Sequence, residues 1–174
     1  MKILFIHQNF PAQFKFLAPA LVNKGHQISC FTINRNVQNK IEGVNYIFCQ
    51  INRSSSKTIH PWLADFETKT IRGEAYLRLA YQLFQKGYSP DLILAHPGWG
   101  ESLFLKEVWP SSKLAIYCEF FYNSKGYDVG FDPEFRNTII GALPSEMESQ
   151  QIFSGLIDSC RLQYKNINNN LHIS

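Results

Sequence analysis

The sequence predicts an α/β fold, an open parallel sheet with helices on both faces. Continuous apolar runs of strand length recur at residues 2–10, 27–32 and 92–96. Stretches of helical period separate them, at residues 12–23 and 65–85. The first strand, helix and second strand fit inside roughly thirty residues, the span of one βαβ unit. A run that is apolar throughout, rather than alternating, marks a strand covered on both sides.

The first run ends on the polar residues His7, Gln8 and Asn9 and is followed by Pro11. In the next stretch Phe14, Leu17, Leu21 and Val22 recur at helical spacing, and Gly25 closes the helix. A third strand is expected at residues 44–51, after a loop holding Asn34, Asn36 and Asn39. Residues 52–58 read as a Ser-rich loop. From 65 to 85 the positions Phe66, Ile71, Tyr76, Leu77, Leu79, Tyr81, Leu83 and Phe84 repeat with a helical period, and Gly87 caps the end. The run at 92–96 ends on His96 and opens into Pro97-Gly98-Trp99-Gly100. A short helix is expected at 101–108, stopped by Pro110, then a buried strand at 114–121 and a polar loop at 122–135. A last helix is placed at 149–164. Residues 1–165 therefore form one predicted domain, and the Asn-rich tail, 166–174, has too little apolar content to order itself.

The chain has 174 residues, 45% hydrophobic and 18% charged, enough for one domain to bury its own core. The formal charge is +3 and Lys and Arg are scattered, so the basic stripe of a nucleic-acid surface is missing. The apolar start is too short for a signal or membrane helix, which leaves at most peripheral membrane contact. Cys30, Cys49, Cys118 and Cys160 lie far apart with no close pairing, and three fall in apolar strand-like runs. Buried reduced thiols are expected, and with them a cytoplasmic location.

In open α/β sheets, ligands bind beyond the carboxyl ends of the strands, where the strand order reverses. With the order 3-2-1-4-5, three strand ends converge: one carrying His7, Gln8 and Asn9, one carrying His96, Gly98, Trp99 and Gly100, and one carrying Glu119 and Tyr122. His96 has two readings, a hydrogen-bonding or proton-accepting group at a site, or the cap of its strand with Trp99 filling the core. Glu119 is an acid or base if burial raises its pKa, and otherwise a solvated strand end. His7 to Gln13 contains no glycine, so the dinucleotide fingerprint is absent. Neither a phosphate-binding G-x-x-x-x-G-K-[ST] loop nor a nucleophile elbow occurs, and the histidines lack metal-site spacing. No cofactor and no metal are expected. The aromatic content of 14% falls mostly on core positions, so packing explains it before sugar stacking does.

Three segments resemble the N-terminal domain of glycosyltransferase family 4: the opening from Ile3 to Phe14, the segment from His96 to Ser102, and the run from Gly130 to Phe135. The resemblance covers about residues 1–164. It implies a Rossmann-like fold that forms the N-terminal half of a GT-B enzyme, and transfer of a sugar with retained anomeric configuration, usually without a metal. Such a half holds the sugar, glycan or lipid-linked acceptor, while a C-terminal half holds the nucleotide-sugar. On this basis His96 and Glu119 are the catalytic candidates, and His7, Gln8, Asn9, Gln13, Gly98, Trp99, Gly100 and Tyr122 line the acceptor side. The family's donor-binding Lys and paired glutamates have no counterpart in the chain. The glycine pair of many relatives is replaced by Asn9-Phe10-Pro11, and Glu119 stands where many place a histidine. A truncated protein, inactive alone, is the expectation that follows. A non-catalytic module binding a polyol or phosphate in the same strand-end pocket, and a small hydrolase using His96 with Glu119, are the alternatives.

Overall fold

The computed structural model describes residues 1–96 and 98–117, which make up one compact unit, Met1–Tyr117. Cys118, Glu119, Tyr122 and Cys160 lie outside the described residues, as do the loop at 122–135, the helix at 149–164 and the tail at 166–174.

Five strands form one parallel sheet: β1 (Lys2–Ile6), β2 (Gln27–Thr32), β3 (Val44–Phe48), β4 (Leu92–Ala95) and β5 (Lys113–Ile116). Their spatial order is β3-β2-β1-β4-β5, the order on which the convergence of strand ends was conditional. The fold is Rossmann-like. The chain winds outward from β1 to one edge through β2 and β3, then returns to the other side of β1 for β4 and β5. The order therefore reverses between β1 and β4, which pair from Ile3 against Leu92 to Ile6 against Ala95.

Pleat alternation divides the buried side chains between two cores. Ile3 and Phe5 of β1 pack with Ile28, Cys30, Phe10, Phe14 and Ala18, under the helix α1 (Leu17–Asn23). Leu4 and Ile6 pack on the opposite face with Phe31, Ile93 and Ala95. That face is covered by Ala75, Tyr76 and Ala80 of α2 (Ala64–Gln85) and by Leu105 and Val108 of α3 (Leu105–Val108). Each fully buried aliphatic or aromatic side chain contributes about 1.5–3 kcal/mol, so β1, buried on both sides, is the spine of the unit.

The helix expected at 12–23 is two pieces, a 3-10 turn at Ala12–Phe14 and then α1. Pro19 is the reason. It lacks an N–H and its ring collides with the carbonyl four residues back, so it fits only in the first turn of a helix that starts near Leu17. The helix expected from 101 begins only at Leu105, after turns. Both α1 and α2 end in the same Schellman arrangement. Gly25 N–H donates to Val22 O and His26 N–H to Leu21 O, while Gly87 N–H donates to Phe84 O and Tyr88 N–H to Leu83 O. Both glycines have positive φ, 77° and 83°, as the two sequence caps required. Cys30 and Cys49 are free and buried, and burial pushes their thiols up to about 12 and about 11. Among the described residues no helix is long and apolar enough to cross a membrane.

Candidate functional site

The carboxyl ends of β1 and β4 meet at the reversal of strand order. The ladder carries one residue past each strand: His7 N–H donates to Phe31 O, and His96 N–H donates to Ile6 O, both at 3.2 Å. Continuing the pleat, His7 and His96 fall on the α1 side. Their ring centroids are 5.3 Å apart, nearly perpendicular, and Phe14 meets His7 edge-on at 6.3 Å. Both rings are buried. Nδ1 of His7 accepts Asn9 N–H at 2.9 Å, and Nδ1 of His96 accepts Gly98 N–H at 3.3 Å. With Nδ1 accepting, a neutral ring carries its proton on Nε2. His96 thus caps its own turn and lies beside His7.

Gln8 falls on the other side, toward α2. Its carbonyl accepts Thr32 Oγ1 at 2.6 Å, Ile33 N–H at 3.1 Å and Asn34 N–H at 3.2 Å, which ties the end of β1 to the end of β2. Its side-chain Oε1 accepts from Nη1 of Arg72 at 3.1 Å. The Arg72 guanidinium lies 5.6 Å from the centroid of Trp99, and Nη1 is 3.9 Å from Oε1 of Glu101. Trp99 is 43% exposed, so it does not fill the core.

Glu101 is 1% exposed, and its Oε1 has no hydrogen-bond partner among the described residues. Burial pushes its carboxyl up to about 7, against smaller opposing pulls from its own backbone N–H and from Arg72. The Tyr76 hydroxyl, also buried, is driven upward by burial and then by the Glu101 charge.

Two glycines let α2 approach this turn. Gly100 has φ of 88°, and a Cβ there would overlap the backbone of Lys69. A Cβ on Gly73 would lie 2.9 Å from Gly100 O and 2.9 Å from the Phe104 ring. The contact is backbone on backbone, and it is what brings Arg72 over Trp99.

Of the residues expected at the site, His7 and His96 converge directly. Gln8 and Trp99 meet through Arg72, and Gly98 and Gly100 shape the turn between them. Asn9 and Gln13 are exposed. Arg72 and Glu101 were missed. Arg72 sits inside a helical period and reads as its solvent face, and Glu101 reads as the first residue of a helix. The available signal was a charged residue directly after a Gly-Trp-Gly turn at a strand end.

Residues 24–172 match the family model of the glycosyl transferase family 4 group. That span takes in β2 to β5, the His96 segment and the run from Gly130 to Phe135, and it begins after the β1 end that carries His7 and Gln8. No curated protein matches the chain.

Proposed function

The chain belongs to the glycosyl transferase family 4 group, and from that membership we propose that it is the acceptor-binding N-terminal half of a retaining GT-B glycosyltransferase. The observation that carries this reading is the meeting of His7 and His96 at the reversal of strand order between β1 and β4, with Gln8, Arg72 and Trp99 grouped on the other side of the sheet. This is where an open α/β sheet takes its ligand.

In this reading the histidine pair contacts acceptor hydroxyls. Each Nδ1 accepts a backbone N–H, which fixes the orientation of the ring. Trp99 offers an exposed aromatic face on which a sugar ring can lie. The donor nucleotide-sugar is held by a second Rossmann-like half, and closure of the two halves excludes water and aligns the reacting groups. Glu119 and Tyr122 belong to the acceptor side in the same proposal. A cytoplasmic location is part of it, supported by the buried free thiols Cys30 and Cys49.

Saturation-transfer NMR on the chain with a set of neutral hexosides, pentosides and inositol tests the reading. Transfer to a sugar that weakens in His96→Asn supports it. Absence of transfer to the entire set counts against it.

A further inference from the structure

We propose that Arg72, laid against Trp99, is an anion-recognising subsite, so that the acceptor of this domain carries a phosphate, sulfate or carboxylate group beside its hydroxyls. The inference rests on the acceptor-side reading above and adds the charge class of the ligand.

Arg72 is oriented by Gln8 and paired with Glu101 only at long range. Gln8 Oε1 takes one N–H of Nη1 at 3.1 Å, and the guanidinium carbon lies 5.6 Å from the centroid of the Trp99 ring. Among the described residues the carboxylate near it is Glu101, an ion pair at 3.9 Å and so beyond hydrogen-bond distance. Among the described residues every polar contact of Arg72 runs through Nη1, and its side chain is 23% exposed. A guanidinium presents a planar fork that matches two oxygens of a phosphate or carboxylate, which is the chemistry left open at Nη2 and Nε. The orphaned Oε1 of Glu101 points the same way. A carboxyl 1% exposed beside an arginine it does not bond leaves the cation uncompensated whenever the carboxyl is protonated.

The anion has two possible sources, an acceptor substituent or the diphosphate of a nucleotide donor. Affinities of glucose 1-phosphate, glucuronate, methyl glucoside, inorganic phosphate and UDP are measured calorimetrically on the full chain. Wild type is compared with Arg72→Gln and Arg72→Lys, and folding is checked by circular dichroism. Glucose 1-phosphate or glucuronate is expected to bind at least about ten-fold tighter than methyl glucoside, a preference erased by Arg72→Gln and reduced by Arg72→Lys. In wild type the same preference must shrink as salt rises, which holds even if a variant fails to fold.

Equal affinity for charged and neutral sugars, a preference that survives Arg72→Gln, or no binding by any probe overturns the proposal. It is also overturned if UDP binds tightest through Arg72, since the anion then belongs to the donor. If inorganic phosphate binds as tightly as glucose 1-phosphate through Arg72, the anion subsite stands and the sugar-acceptor reading falls.

Discussion

Nη1 of Arg72 stands 3.9 Å from Oε1 of Glu101, a pair too far apart for a hydrogen bond, where α2 crosses the turn after β4. Four consequences of this site and its surroundings can be measured.

The carboxyl of Glu101 makes stability depend on pH. Its folded pKa, about 7, lies above the ordinary value of 4.5, so between these two the native state holds a proton that the unfolded chain has lost. Stability from this group is full below the lower value and declines as pH rises through the upper one, by roughly 3 kcal/mol in all. Arg72 and Tyr76 from α2 and Cys49 after β3 are the groups whose charges couple to this region. Urea denaturation of Glu101→Gln should lack this slope, matching wild type within about 1 kcal/mol at about pH 4 and exceeding it at about pH 8.

Gly100→Ala should cost about 2–4 kcal/mol, because the new Cβ meets the Lys69 backbone and the positive φ is lost to strain. Gly98→Ala is the comparison. The nearest atom to its Cβ is Cε1 of His96 at 3.2 Å, and Gly98 has no positive φ, so its cost should be at most about 1 kcal/mol. Thermal melts of the two variants decide it, with Gly100→Ala melting well below Gly98→Ala.

His96→Asn keeps an acceptor for the Gly98 N–H, since an Asn side chain bonds the backbone two residues on. Stability should fall by no more than about 1 kcal/mol while acceptor affinity drops about ten-fold. A large fall in melting temperature with unchanged affinity would assign His96 to structure alone.

Tyr76→Phe removes a buried hydroxyl that has no hydrogen-bond partner among the described residues. The ring packs on Phe31 at 6.0 Å and stays in the variant. Stability should be unchanged or raised by about 1 kcal/mol, whereas a loss of that size would reveal a partner for the hydroxyl. Chemical denaturation reads the difference directly.

Much of the fold was legible from local pattern. The two glycine-capped helix ends and the burial of β1 on both faces follow from apolar periodicity and backbone chemistry, which act over a few residues. Where a local rule was overlooked, as with Pro19, the expected helix was too long. The strand-end residues His7, Gln8, His96 and Trp99 were legible for the same reason, because strand ends can be counted along the chain.

Sequence alone determined the parallel α/β class, the positions of β1 and β4, and the polar groups at their carboxyl ends. Tertiary structure decided which of those groups meet. It placed His7 with His96 on one side of the sheet and Gln8 on the other, and it joined Arg72 to Glu101 across a long sequence separation. The physical reason is that Gly73 and Gly100 permit a backbone approach whose partners are chosen by packing, and no local periodicity encodes a contact between elements so far apart in the chain.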